Sequence, residues 1–118
     1  MASETPEVRY TRTVFYIKMP DGAKAYLRYS VEGDTLKLVE TYTPPQHRGK
    51  GLARKMVEFA LKFAEERGLK IEPICSYAVY YFLKNPDKRH MLLPKYQEMD
   101  LEELFKKRRE EEAKKKAQ

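Results

Sequence analysis

Two glycines flanked by cationic side chains stand directly before an amphipathic run of the chain. Residues 46–53 read QHRGKGLA, and two prolines precede them. Gly49 and Gly51 let the backbone turn its N–H groups inward, and a helix that begins near Gly51 adds the positive end of its dipole. Arg48 and Lys50 add positive charge at the flanks. This combination predicts a site for a phosphate group, and a loop of this kind suits a pyrophosphate.

Two common phosphate-binding motifs do not fit this loop. The dinucleotide fingerprint requires a third glycine at the position that Arg54 occupies, and the Walker loop also requires glycine there, followed by Lys and Ser/Thr. The ligand must therefore be identified from other parts of the chain.

The single cysteine, Cys75, lies between a short apolar stretch and a second amphipathic run. A thiol at a helix N-terminus has its thiolate stabilised, which would make Cys75 a candidate nucleophile. The alternative is that Cys75 is a small buried hydrophobic residue. One cysteine excludes an intramolecular disulfide, and the sequence holds no Cys/His cluster for zinc, so we expect no metal site.

The composition favours one soluble domain with a basic body. The chain has 118 residues, a net charge of +6 and 42% hydrophobic residues. Residues 100–118 hold seven basic and six acidic side chains, so most of the excess positive charge lies in residues 1–99. That charge can attract an anionic ligand. No apolar run reaches the length of a membrane span, and the N-terminus lacks a signal peptide's apolar core, so we expect a cytoplasmic protein. We also expect a monomer or weak dimer.

Hydrophobic periodicity predicts an α/β fold in which a loose leader, residues 1–9, precedes a three-strand meander. Alternating apolar residues indicate three antiparallel strands at 13–19, 24–31 and 35–43. Helical spacing predicts a helix over 51–67, and 69–75 reads as a fourth strand, parallel to the third through a right-handed crossover.

The rest of the chain predicts two further helices. Residues 76–85 form the second helix before Pro86. Pro73 cannot donate a ladder hydrogen bond, so the fourth strand should be unpaired on one side near its end. Residues 100–118 read as a charged helix with glutamates placed four residues before lysines. We expect a solvated extension of a domain spanning 1–99, dispensable for the fold and for ligand binding; the alternative is a partner-binding arm.

Two motifs together resemble a known family. The pattern Q-x-x-G-x-G/A between a strand and a helix is similar to the coenzyme A signature of the GNAT superfamily of acetyltransferases. More narrowly, TYTPPQHRGKGLA followed by EPICSYAVYYFLKNP resembles the small, single-domain YjdJ-type proteins, over about Val14 to Leu93. The resemblance implies a GNAT-like fold in which the third and fourth strands splay apart to admit the cofactor.

The resemblance also implies which residues bind acetyl-CoA or coenzyme A. Backbone amides of the glycine loop, residues 46–53, would hold the pyrophosphate. The end of the third strand, from Glu40 to Thr43, would align the pantetheine arm. Lys84 and Asn85 would meet the adenosine end. The implied cofactor-binding residues are Tyr42, Thr43, Gln46, Arg48, Gly49, Lys50, Gly51, Leu52, Ala53, Lys84 and Asn85.

The catalytic residues that the resemblance implies are Cys75, Tyr77 and Glu40. Cys75 would accept the acetyl group or orient the acceptor, and Tyr77 would protonate the leaving thiolate. Glu40 is a candidate base for direct attack by an amine, with Glu72 as another.

These inferences favour an acetyl-CoA-dependent acetyltransferase whose acceptor is an unidentified amine. A coenzyme A-binding module without efficient turnover is the second possibility. The third is nucleic-acid binding through the basic body, with tyrosines as stacking platforms, although the sequence carries no RNA or DNA motif.

Overall fold

Five strands form one mixed sheet in the order of the chain in the computed structural model, which describes residues 6–116. The predicted meander is confirmed as β2 (Val14–Lys18), β3 (Lys24–Glu32) and β4 (Thr35–Tyr42), which are antiparallel. The predicted parallel strand is β5 (Lys70–Pro73), which pairs with β4.

The remaining strand, β1 (Arg9–Tyr10), was not predicted and pairs with Phe15 and Tyr16 of β2. Two residues are too few to show an alternating pattern, so this part of the expected leader could not be read as a strand. The aromatic ring of Tyr10 packs edge-on against Phe63, which fastens β1 to the helix layer. Residues 1–5 of the expected leader lie outside the described residues.

The predicted first helix is α1 (Leu52–Arg67), and it packs against four strands of the sheet. Its buried residues recur at helical spacing and meet the buried face of the sheet. Gly68 ends the helix in the left-handed conformation, with φ of 67°, as the sequence predicted. The buried side chains of α1 are Leu52, Met56, Val57, Ala60, Leu61, Phe63 and Ala64.

β4 and β5 separate halfway along β4, which is the splay that the resemblance implied. The two strands pair only from Thr35 to Leu38 on the β4 side. The register against β3 shifts between Arg28 and Tyr29, so that Val39 has no partner residue and forms a bulge. The β4 segment from Val39 to Tyr42 therefore has a free edge towards β5.

The second helix is confirmed as α2 (Ser76–Lys84) and ends before Pro86. A 3-10 segment (Pro86–Met91) and a short helix, α3 (Pro94–Gln97), lead to the C-terminal helix. Leu93 donates a backbone hydrogen bond to Ile71, so this connection also covers the outer edge of β5. No helix between residues 6 and 116 is both long and apolar enough to cross a membrane.

The C-terminal helix, α4 (Leu101–Lys116), packs against α2, which corrects the expectation of an unpacked helix. Asp100 caps it as predicted, because its Oδ1 accepts from the N–H groups of Glu102 and Glu103. Leu101 and Leu104 are buried in the same core as α1 and the sheet. The charge pattern is compatible with a solvated helix, but the apolar residues of the first turn of α4 are buried in the core and attach the helix to the domain. The division of the chain at residue 99 stays a prediction.

Candidate active site

The glycine loop has the backbone shape that anion binding requires. Gly49 and Gly51 have φ of 83° and 77°, and a Cβ atom on either would meet no other atom within 4 Å. Both positions therefore combine a left-handed backbone with open space beside it. The helix α1 that follows has neither a side-chain cap among the described residues nor an acidic residue in its first turn. Its first N–H groups, which have no partner within the helix, are thus suited to a phosphate.

His47 fastens this loop to the turn between β2 and β3. The imidazole is buried, and its Nε2 lies 2.9 Å from Oδ2 of Asp21 while its Nδ1 lies 2.9 Å from Nζ of Lys50. Because a lysine ammonium can only donate, Nδ1 accepts from Lys50 and Nε2–H donates to Asp21. Hydrogen bonds from the Ala23 N–H and from His47 lower the pKa of Asp21.

The other polar residues of the loop also make contacts within the fold. Arg48 donates from Nε to the Thr43 carbonyl at 3.0 Å, and Gln46 donates to Asp21 at 3.4 Å. Arg48 thereby closes the loop onto the end of β4. These contacts fix the backbone path and keep the positive charge of the loop near its glycines.

A cavity of about 180 Å³ opens at the glycine loop. It brings together six of the eleven predicted cofactor residues with Tyr77, a predicted catalytic residue. Its lining is Thr43, His47, Arg48, Gly49, Gly51, Leu52, Ala53, Arg54 and Tyr77. Tyr42, Gln46 and Lys50 belong to the same strand end and loop but do not line it.

A second cavity, of about 300 Å³, lies where β4 and β5 separate. Tyr77 lines both cavities, so the two adjoin at this residue, and we refer to the pair of cavities as the groove. All three predicted catalytic residues border the second cavity, together with three side chains of α4. Its lining is Val39, Glu40, Thr41, Cys75, Ser76, Tyr77, Glu112, Lys115 and Lys116.

Cys75 is a buried thiol at the start of α2, and its environment differs from the expected one. Its Sγ lies 3.2 Å from Oγ1 of Thr41, and only 3% of the residue is exposed. Burial raises the pKa of Cys75, the Glu112 carboxylate raises it further, and the hydrogen bond with Thr41 opposes them. The expectation of a stabilised thiolate is therefore wrong for this structure, because burial disfavours the charged form.

Glu112 occupies the N-terminus of α2 that was expected to act on the thiol. Its two carboxylate oxygens accept from the N–H of Ser76 at 2.9 Å and from the Ser76 hydroxyl at 2.7 Å. α2 has no cap from its own N-terminal side chain, since Cys75 stands at the N-cap position. A carboxylate at this place satisfies a free N–H group and interacts favourably with the helix dipole.

Tyr77 and Glu40 differ in how the fold holds them. Tyr77 is half-buried, and burial raises the pKa of its hydroxyl, with Tyr80 adding a smaller effect. Tyr77 therefore stays protonated at neutral pH and can donate a proton. Glu40 is exposed and its Oε1 lies 3.2 Å from Nε of Arg28 on the neighbouring strand.

The other candidate base, Glu72, lines neither cavity and accepts a hydrogen bond from the Tyr96 hydroxyl at 2.9 Å. Among the candidate carboxylates from the sequence, the structure thus favours Glu40.

Lys84 and Asn85 are not brought to either of these cavities. Asn85 donates from its side chain to the Tyr81 carbonyl at 2.8 Å, which closes the end of α2. The Lys84 ammonium lies over the Tyr80 ring, at 5.6 Å from the ring centre, and lines a different cavity beside Phe105. A role for them at the adenosine end stays a prediction.

Five polar residues of the second cavity were missed by sequence reasoning: Thr41, Ser76, Glu112, Lys115 and Lys116. Thr41 lay within the strand end that was singled out, but its contact with Cys75 spans 34 residues. Ser76 directly follows the cysteine and carried no signal of its own. Glu112 is one of three consecutive glutamates, and no local pattern distinguishes the one that reaches Ser76.

Comparisons with known proteins agree with this arrangement. The model of a family described as GCN5-related N-acetyl-transferase matches residues 14–91. The fold is also similar to the NMR solution structure of a GCN5-like protein from Staphylococcus aureus whose suggested activity is that of an N-acetyltransferase. That similarity has a TM-score of 0.58 at 23% sequence identity and covers 76% of this chain and 90% of the other. Residues 14–91, which the family model matches, contain the glycine loop, the diverging strands and Cys75, but not α4.

Proposed function

The chain belongs to the GCN5-related N-acetyltransferase family, and we propose that it transfers the acetyl group of acetyl-CoA to an amine. The observation that carries this proposal is the groove that runs from the glycine loop, past Tyr77, to the cavity beside Cys75. One end of the groove is suited to phosphate and the other holds titratable side chains. This order of sites matches a ligand with a pyrophosphate at one end and a thioester at the other.

The loop would hold the pyrophosphate through its backbone. The left-handed glycines leave room for close approach, and the uncapped N-terminus of α1 favours negative charge. Arg48 and Arg54, which both line this cavity, add positive charge around it. The free edge of β4 from Val39 to Tyr42 would align the pantetheine arm, since an extended chain can pair with an unpartnered strand.

Acetyl-CoA supplies the activated acyl group as a thioester. Tyr77 is the candidate proton donor to the leaving thiolate, because its hydroxyl stays protonated at neutral pH. Glu40 is the candidate acceptor of the amine proton, because its carboxylate borders the same cavity. Cys75, buried as a neutral thiol beside Thr41, is better suited to orient the reacting groups than to attack them.

Calorimetric titration with coenzyme A tests the binding step, and Gly49→Val is the variant that should lose it. A β-branched residue is strained at positive φ, and its side chain would also enter the space where the phosphates approach. We expect affinity to fall by at least about tenfold, equivalent to about 1.4 kcal/mol. Gly33→Val is the matched control: Gly33 has φ of 58° and equally open surroundings, but it lies in the turn between β3 and β4.

A Gly49→Val protein that folds like Gly33→Val and binds coenzyme A with wild-type affinity would contradict the assignment of the loop. The same preparations, supplied with acetyl-CoA and a panel of primary amines, test the transfer step. Repeated release of free thiol over many turnovers that requires an added amine supports an acetyltransferase. Tight binding without release of thiol would favour a coenzyme A-binding module instead.

A further inference from the structure

The cavity beside Cys75 is completed by α4, a helix outside the residues that the family model matches. Two of the three α4 side chains that line it, Lys115 and Lys116, carry primary amines. We infer that this chain carries its own acetyl acceptor, and that Lys115 or Lys116 takes the acetyl group within the same molecule. This inference rests on the proposed function and names an acceptor for it.

α4 is held at the cavity by contacts that recur along one of its faces. Leu101 and Leu104 are buried in the core near its start. One turn later, Arg108 donates from Nε to the Pro73 carbonyl at 3.4 Å, where β5 ends. A further turn on, Glu112 binds Ser76 through both carboxylate oxygens. α4 is thus attached to the core near its start and to the N-terminus of α2 beside the cavity.

The attachment of Glu112 determines which lysines face the cavity. Residues three and four positions apart lie on the same side of a helix, so Lys115 and Lys116 follow Glu112 on its face. Both line the cavity together with Thr41 and Cys75. Lys114 is only two positions from Glu112 and does not line this cavity, although all three lysines are exposed. It is therefore an internal control with the same chemistry on the same helix.

The transfer balances without any oxidant or reductant. The lysine ammonium first loses a proton to Glu40, which borders the cavity, or to water. The lysine nitrogen then forms a bond to the carbonyl carbon of the thioester, the carbon–sulfur bond breaks, and the nitrogen releases its second proton to water to leave a neutral amide. The departing thiolate takes a proton from the Tyr77 hydroxyl, which solvent restores. The products are one acetyl-lysine and free coenzyme A.

An acceptor on the same chain has a kinetic consequence. Groups held together in one molecule react as if at a high local concentration, and no second encounter is needed. The rate per molecule should therefore be independent of protein concentration. Acetylation of exposed lysines by acetyl-CoA in free solution lacks this advantage and should be similar for all of them.

The test is to incubate the full chain with acetyl-CoA and to measure acetylation of each lysine by peptide mass spectrometry over time. We expect Lys115 or Lys116 to be acetylated at least about tenfold faster than Lys114, at a rate that does not change with protein concentration. The double variant Lys115→Arg/Lys116→Arg should lose the fast phase, whereas Lys114→Arg should keep it. Equal rates for the three lysines, or a rate that rises with protein concentration, would overturn the inference.

A second measurement does not depend on acetyl transfer. Without acetyl-CoA, an amine-selective reagent should label all three lysines, and saturating coenzyme A should protect Lys115 and Lys116 but not Lys114. Unchanged labelling despite bound coenzyme A would also count against the inference. Calorimetry on the same samples separates the two ideas: failure to bind coenzyme A contradicts the proposed function, whereas binding with equal lysine reactivity contradicts only this acceptor.

Discussion

Replacement of Leu101 by alanine tests whether α4 is part of the hydrophobic core. Leu101 is 2% exposed and belongs to the same buried cluster as α1, α2 and the sheet. The substitution removes three carbon atoms, a transfer loss of about 2.4 kcal/mol at about 0.8 kcal/mol for each. The cavity left behind brings the expected loss of unfolding free energy to about 3 kcal/mol, within the usual range for buried leucine.

Urea unfolding followed by circular dichroism measures this loss. With a slope of about 2 kcal/mol per molar urea, the midpoint of Leu101→Ala should fall by about 1.5 M. Glu110→Ala is the matched control, because Glu110 is exposed on the same helix and its replacement should change stability by no more than about 0.5 kcal/mol. The two variants differ mainly in the buried surface that they remove.

The refuting result is a Leu101→Ala midpoint equal to that of Glu110→Ala. Leu101 would then be accessible in solution, and α4 would be the solvated extension that its charge pattern predicted. If Leu101→Ala is destabilised as expected, removal of residues 100–118 should cost still more, because Leu104 is also buried. A loss of about 5 kcal/mol is comparable with the whole stability of many small domains.

Two further predictions concern the cavity and the loop. Since burial and Glu112 raise the pKa of Cys75, its alkylation by iodoacetamide at pH 7.5 should be slower than that of an unstructured cysteine. The alkylation rate should increase only as the pH rises above the ordinary thiol pKa. Glu112→Gln should lower the pKa of Cys75 and accelerate its alkylation. A wild-type rate matching the unstructured cysteine would contradict this. His47→Ala removes the contacts to Asp21 and Lys50, so coenzyme A affinity measured by calorimetry should fall about 5- to 20-fold, equivalent to about 1–2 kcal/mol. The pKa of Asp21 is lowered in the folded protein. Its stabilising charge is therefore present above about pH 4 and is lost only as pH falls through the lower folded value. Unchanged coenzyme A affinity of His47→Ala at neutral pH would refute the anchoring role.

Strands β2 to β5, the first two helices and the glycine loop could be predicted because their signals are local. The first helix was predicted over 51–67 and is found at Leu52–Arg67, since Gly68 both signals and forms its end. Glycine is required at positions 49 and 51 for the same reason, because each has a positive φ. In each case the residue that allows the prediction also adopts the backbone conformation that was predicted.

The packing of α4 could not be predicted because its deciding contacts are far apart in the chain. Glutamates placed four residues before lysines stabilise a helix equally well in solvent and on a protein surface. The residues that distinguish the two cases are a buried leucine pair and one glutamate that binds Ser76, 36 residues away. A repetitive charged sequence does not indicate which glutamate finds such a partner.

The chemistry of Cys75 was misjudged for a related reason. Its place before a helix could be predicted from the sequence, and position alone favours a thiolate. The sign of the pKa shift is determined instead by burial among the surrounding elements, with a smaller contribution from the Glu112 carboxylate of α4. Neither influence appears in the residues next to the cysteine.

The occupation of the α2 N-terminus by Glu112 bears on which transfer route the site can use. The Ser76 N–H and hydroxyl donate to Glu112 and are therefore not available to a thiolate on Cys75. A covalent route through Cys75 would place a second negative charge beside that carboxylate in a buried site, which is unfavourable. Direct attack by an amine creates no such charge on the protein, because the deprotonated amine that attacks is neutral and the amide that it becomes is also neutral. The contact between α4 and α2 thus favours direct transfer over an acetylated cysteine.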